Sequence, residues 1–284
     1  MNRSGSLFLA PALSILTFIF ALPTALLFVV SFWSVKSFRL RPDFTFAAWQ
    51  RFIDEYGNLT LYTLFVGLVV GALCTTLGLV FSYAARFKAG THGDRLMLAT
   101  LITLFGGYLM KIYAWKSILG ADGLLNQALM GLGLTREPLA FLIYSRGAVV
   151  IALVHFLLPF AILPIYAALR TVTDATIEAA RDLGARPSQT LVRVILPQIK
   201  AGLFAAFAFC FLLAAGDYVT PMLLGGTSGS MLGQFVLIEF STRFNWPAGS
   251  AMSFGLLFAC LFLLAAFSLV GRFAAKSTSR GRLR

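Results

Sequence analysis

Residues Gly147–Leu169 read GAVVIALVHFLLPFAILPIYAAL, with no charged side chain between Arg146 and Arg170. A helix that crosses a bilayer needs about 20 mostly apolar residues, and this run supplies 23. The two arginines mark where it leaves the hydrocarbon. The same texture extends through the chain: 59% of its 284 residues are hydrophobic and only 12% are charged. Soluble domains carry about 25% charged residues, and the mean hydropathy here is +0.85. A soluble enzyme, a disordered chain and a disulfide scaffold are all disfavoured. The expected fold class is an all-α membrane protein.

Charge-free stretches place six transmembrane helices at about 7–33, 62–85, 96–113, 147–169, 202–221 and 249–270, in one domain covering 1–284. The first is too long for a signal-peptide core and no small-residue cleavage site follows it, so it is expected to be retained. An even number of spans puts both termini on one side. With the termini inside, the inner segments hold 14 of the 23 basic residues, among them Arg86, Lys88 and Arg95, Arg181, Arg186 and Arg193, and Arg272 and Lys276. The positive-inside rule then puts both termini in the cytoplasm. The net charge of +12 therefore encodes orientation and implies no nucleic-acid partner. Between spans, Thr45–Trp49 looks like an interfacial amphipathic piece, and Gly123–Gln127 like a short surface helix. Cys74, Cys210 and Cys260 lie in apolar runs without paired spacing and read as small buried hydrophobes. No metal-ligand spacing is present, and no cofactor is implied.

The loop from Arg170 to Gly202 is the most informative segment. Thr173 or Asp174 can cap a helix. Ile177, Ala180 and Leu183 then form an apolar stripe, with Glu178, Arg181 and Asp182 projecting elsewhere. Gly184 suits a left-handed C-terminal cap, and Pro187 separates a second helix carrying Leu191, Val192, Val194 and Ile195. Pro197 is expected to bend the chain towards the fifth span. So small an element must bury its stripe against the membrane domain or in a partner's groove; a helix lying on the headgroups is the plainer reading of the pattern.

Glu178-Ala179-Ala180, three residues, Gly184, nine residues, then Val194-Ile195-Leu196-Pro197 resembles the EAA loop of binding-protein-dependent ABC transporter permeases, with Val194 where that pattern has isoleucine. Lys111-Ile112-Tyr113-Ala114-Trp115-Lys116, Leu157-Leu158-Pro159-Phe160, Glu178–Ala185 and Gly216-Asp217-Tyr218-Val219-Thr220-Pro221 are similar to the spermidine/putrescine branch. The resemblance implies a type I ABC importer permease fold. It makes 170–201 a coupling loop seated in a cleft of a cytoplasmic ATPase dimer. Glu178 would face that subunit, within the set Glu178, Ala179, Ala180, Arg181, Asp182, Gly184, Leu196 and Pro197. It further implies a second permease subunit (a copy or a different chain), a periplasmic solute-binding protein, the bacterial inner membrane, and a polyamine or related cation as solute. The sequence has no Gly-Lys dipeptide and so lacks a phosphate-cradling loop. ATP hydrolysis belongs to another subunit, and the chain is not expected to be an enzyme.

Two charges fall near the outer ends of the third and fifth spans. Counted at about 1.5 Å per residue from Arg95 and Lys200, Lys111 and Asp217 lie at similar depth, roughly 25 Å from the inner edge. Charges inside a bilayer are functional candidates by default. Lys111, Tyr113 and Trp115 on one span and Asp217 and Tyr218 on the other are therefore the candidate solute-path residues, with Lys111 and Asp217 either paired or flanking the path. Lys111 equally suits snorkelling to the headgroups beside Tyr113 and Trp115, and Asp217 suits a structural cap near Pro221. Gly67, Gly71 and Gly78 read as close-packing positions between helices.

Gly226-Thr227-Ser228-Gly229 contains a Gly-x-Ser-Gly string, but no histidine follows Ser228, and His92 and His155 lie elsewhere, so an intramembrane serine protease is disfavoured. A stand-alone secondary transporter or channel fits composition and spans equally well. An amphipathic docking loop discriminates against it.

Overall fold

The computed structural model describes residues 11, 14–37 and 39–280, with side chains as far as residue 269. In chain order it contains helix α1 (Ser14–Val30), a hairpin of β1 (Ser34–Lys36) and β2 (Arg39–Arg41), and α2 (Ala47–Phe87). Then come α3 (Gly93–Phe105), α4 (Tyr108–Leu119), α5 (Leu124–Gly131), α6 (Arg146–Leu169) and α7 (Asp174–Asp182). The last are α8 (Pro187–Ala215), α9 (Leu232–Ser241) and α10 (Trp246–Arg280).

Among the described residues, four helices, α2, α6, α8 and the Trp246–Leu269 part of α10, are long and apolar enough to cross a membrane, and a fifth span results if the bent pair Gly90–Phe105 and Tyr108–Gly131 crosses as one. The start of the first expected span, residues 7–10, 12 and 13, lies outside the described residues; the described part is the apolar helix α1. The expected third span, 96–113, is corrected: its helix stops at Phe105, the chain turns at Gly106 and Gly107, and α4 leaves at 91°. Gly106 has ψ 119 and Gly107 ψ 134, so two consecutive extended glycines end the helical hydrogen bonding. Apolarity alone had hidden this break. The expected fifth span, 202–221, likewise ends early, at Ala215, with Gly216 as its cap.

Pro197 does not bend the chain. It lies inside α8, just after a π-helical turn at Leu191–Ile195, where the Leu196 N–H reaches back to Leu191 O. A wider turn of this kind absorbs the missing proline donor without ending the helix.

The chain forms two compact units, Met1–Leu61 with Leu232–Arg284, and Tyr62–Met231. The core of the second lies where α2, α6 and α8 meet, with Val70, Cys74, Leu153, Leu157, Ile165, Ile199 and Cys210 all buried. Small residues permit this approach. A Cβ added at Gly67 would come within 3.1 Å of Phe211, at Gly71 within 3.1 Å of Phe207, and at Gly78 within 3.1 Å of Ala161. A tighter contact between α6 and α8, at Gly202, carries no sequence signal: an added Cβ there lies 2.5 Å from Ala168 Cβ.

In the first unit, an aromatic cluster replaces the expected interfacial piece. Trp49 stacks on Phe258, and its Nε1 donates to Ser31 Oγ at 3.1 Å. Thr45–Trp49 thus leads into α2, with Trp49 in the cluster and Phe46 exposed. Glu239 on α9 is 1% exposed. Arg243 Nη1 donates to its Oε1 at 2.5 Å and Arg51 Nη2 stands 3.8 Å away, while Oε2 has no partner. Removing one partner of a buried carboxylate costs more than replacing the carboxylate with an apolar side chain. Arg243→Ala is therefore expected to lower the thermal unfolding midpoint of the detergent-solubilised protein more than Glu239→Met. The reverse order would show that the pair contributes nothing.

Candidate functional site

Two regions gather the side chains singled out above, both within the Tyr62–Met231 unit. The first is α7. Thr173 caps it, its Oγ1 accepting from Thr176 N–H at 3.4 Å, and an acidic first residue, Asp174, complements the helix dipole. Arg86, at the end of α2, donates to Asp174 Oδ1 at 3.0 Å. Ile177 is the buried anchor. The expected stripe of Ile177, Ala180 and Leu183 is corrected: Leu183 is 88% exposed. Six residues at 100° each rotate it well away from Ile177. Glu178, Ala179, Arg181 and Asp182 are also exposed. The free face of α7 therefore combines charges with one large apolar side chain. Gly184 has φ +78, the left-handed conformation that its lack of a Cβ allows, and the turn ends α7 through Gly184 N–H to Arg181 O. Leu196 and Pro197 lie in α8, past the π-helical turn. A cavity of about 290 Å³ beside α7 is lined by residues including Tyr83, Arg86, Ile177, Glu178 and Arg181.

The second region lies beside the middle of α6 and the far end of α8. Asp217, half-buried just after α8, accepts from the Tyr108 hydroxyl at 2.5 Å and from the backbone N–H groups of Val219 and Thr220 at 3.2 and 3.1 Å. The backbone bonds are the capping role, opening the π-helical turn at Pro221–Gly225. The Tyr108 bond is not: it joins the start of α4 to the end of α8. Tyr108 packs its ring 4.4 Å from Phe156 of α6 and shares its hydroxyl with Thr220 at 2.9 Å. Tyr108, Phe156 and Asp217 line one cavity of about 480 Å³ together with Leu157, Leu213 and the 41%-exposed Tyr218.

Lys111 and Asp217 do not pair. Lys111 Nζ donates to Thr103 O at 2.6 Å and stands 5.5 Å from the Phe156 ring centroid. Tyr113 and Trp115 diverge. Tyr113 is exposed, whereas Trp115 donates through Nε1 to His155 Nδ1 at 3.1 Å. That bond also engages His155 of α6. Ser228 is exposed, and its carbonyl accepts from Arg146 Nε at 3.0 Å. Tyr108 and Phe156 are the residues that sequence reading missed. Nothing in their spacing marks them, because the glycine break at 106–107 brings Tyr108 to Asp217.

The arrangement has one half-buried carboxylate, aromatic faces and no nucleophile–base pair. It suits holding a cation rather than cleaving a bond. Against known proteins, residues 2–282 match the family described as binding-protein-dependent transport system inner membrane component. The chain belongs to that permease family. The permease is 33% identical over 263 residues to the spermidine/putrescine transport system permease protein PotB of Haemophilus influenzae, covering 90% of each chain. Its identity to PotB of Escherichia coli K12 is 30% over 211 residues, covering 74% of this chain and 76% of that one. Its fold matches the crystal structure of a bacterial ABC transporter that imports the acidic polysaccharide alginate, with TM-score 0.73, 14% identity and 94% of each chain covered. The type I importer permease fold expected from the EAA-like loop is thus present. The permease is the membrane subunit of an ABC importer and not an enzyme.

Proposed function

We propose that this permease forms half of the translocation path of an ATP-driven importer for a linear organic cation of the spermidine and putrescine class. The whole chain, residues 1–284, acts as one permease domain with both termini in the cytoplasm. It pairs with a second permease subunit. A cytoplasmic ATPase dimer grips α7 through Glu178, Ala179, Arg181, Asp182 and Leu183, with Ile177 and Ala180 turned inwards. A periplasmic binding protein delivers the solute on the opposite side.

The observation that carries the solute class is the wall formed by Asp217, Tyr108 and Phe156. A carboxylate beside aromatic faces attracts an alkylammonium twice, through charge-assisted hydrogen bonding and through the ring quadrupole. The cavity beside it is otherwise apolar, as suits a methylene chain. The names of the relatives point the same way, since PotB proteins belong to spermidine/putrescine systems. A stand-alone transporter has no use for a free-faced α7, and family membership argues against it.

The transport cycle follows from this geometry. ATP closes the ATPase dimer and moves α7; α6 and α8 flank that loop in sequence, and carry Phe156 mid-way along α6 and Asp217 just past the far end of α8. Asp217→Asn removes the charge and keeps one of the two capping acceptors, since Val219 N–H and Thr220 N–H bond to different carboxylate oxygens. Its uptake of labelled 1,4-diaminobutane in proteoliposomes holding the full transporter should fall about tenfold, the loss of one charge-assisted contact. Unchanged affinity and rate would take Asp217 out of the path.

A further inference from the structure

We propose that Lys111 is a tethered occupant of a second ammonium site in the solute path, and that the solute's own ammonium displaces it. The inference rests on the cation reading of Asp217 given above. The last turn of α3 leaves backbone carbonyls without intrahelical partners, and the extended Gly106 prevents the chain from supplying them. Thr103 O is one of these, and it accepts from Lys111 Nζ at 2.6 Å. The same ammonium lies 5.5 Å from the Phe156 ring centroid, within cation–π range. An orphan carbonyl at a helix C-terminus beside an aromatic face is an ammonium receptor on general grounds. Among the described residues Lys111 has no carboxylate partner.

The lysine reaches this cradle by folding its stem back over the break, so that a Cβ at Gly106 would meet Lys111 Cε at 3.4 Å. Phe156 then serves two cations. It faces Lys111, and its ring packs 4.4 Å from Tyr108, whose hydroxyl donates to Asp217. Asp217 and the cradle are thus two ammonium anchors joined by an aromatic wall, one free and one filled by the chain itself. A solute with an ammonium at each end matches both once Lys111 swings out. A flexible four-carbon stem allows that motion without moving the backbone. Lys111 would keep the path closed to small cations when no solute is present, and would set the threshold for a doubly charged one.

The test is direct binding of labelled 1,4-diaminobutane to the complete transporter in nanodiscs, without the binding protein. Lys111→Met should bind about fivefold more tightly than wild type, because the competing cation is gone. Methylammonium, which can reach the Asp217 anchor in either protein, should compete with the diamine more strongly in Lys111→Met than in wild type, since only there is the cradle also empty. Lys111→Arg, which keeps a cation on the ring, should behave as wild type. If Lys111→Met binds no tighter and methylammonium competes no better than in wild type, while Asp217→Asn still weakens binding, Lys111 is only a cap on α3 and the inference fails alone. If Asp217→Asn binds as wild type, the carboxylate reading fails, and the methylammonium competition then decides the Lys111 site by itself. Equal thermal unfolding midpoints for Lys111→Met and Lys111→Arg exclude misfolding as the cause of any difference.

Discussion

Leu183→Asp is expected to reduce solute uptake about thirtyfold or more, while leaving the permease as stable as wild type. Leu183 is 88% exposed, so replacing it removes no internal contact. Surface substitutions of that kind change stability by no more than about 0.5 kcal/mol. Its cost must therefore fall on whatever the leucine touches outside the chain. A large apolar side chain ringed by Glu178, Arg181 and Asp182 is the make-up of an interface anchor, where truncation costs about 2 kcal/mol or more. A new carboxylate in an apolar cleft adds the desolvation of an unpaired charge. Two measurements separate the outcomes. Co-purification of the ATPase subunit should be lost with uptake, and the unfolding midpoint should stay in place. Normal uptake by Leu183→Asp would show that this face of α7 meets only water. Ile177→Asp, at the buried anchor, should instead lower stability and uptake together.

That contrast also marks how far the sequence was legible. The pattern of Thr173, Ile177 and Gly184 defined a capped helix with one inward residue and a left-handed exit, and the structure has each of these features. The assignment of Leu183 to the inward stripe failed because spacings of three and three drift around a helix that turns every 3.6 residues. Apolar runs located α2, α6, α8 and α10, since composition suffices where a helix is buried or lipid-facing along its length. At the end of the fifth span the cluster of Gly216, Pro221, Gly225 and Gly226 does signal the interruption that the structure has after Ala215. The apolar criterion overran at Gly106, because a glycine is as apolar as its neighbours and shows nothing of its backbone angles. The site suffered most from this. With the third span drawn straight, Lys111 and Asp217 fall at equal depth and invite pairing. With the span broken, Lys111 turns back to Thr103 O and Tyr108 takes its place beside the carboxylate. Glu239 escaped notice for a different reason: nothing local distinguishes a glutamate that arginines at 51 and 243 will enclose.

Gly202→Ala should destabilise the protein by about 1–3 kcal/mol, the range for forcing an extra methyl into a packed core. An added Cβ at Gly202 would stand 2.5 Å from Ala168 Cβ and 3.0 Å from Pro164 O. Neither is the far end of a flexible side chain, so the backbones of α6 and α8 must separate. This crossing also bears on transport. One end of the α6–α8 pair flanks the α7 loop, through Leu169 and Pro187; Phe156 stands mid-way along α6, and Asp217 lies just past the other end of α8. About 22 Å of helix separates Gly202 from Asp217 at 1.5 Å per residue, so a small change of crossing angle becomes a large displacement at the carboxylate. Rigid transmission along the pair needs the close contact that glycine permits. Ala168→Gly removes the nearer clash, and in the double variant it should restore most of the lost stability and uptake. The coupling between the two changes, read from thermal unfolding of the four proteins in one cycle, should be positive and at least about 0.5 kcal/mol. Strict additivity would mean that the helices already yield at this point, and that motion at α7 reaches Asp217 by another route.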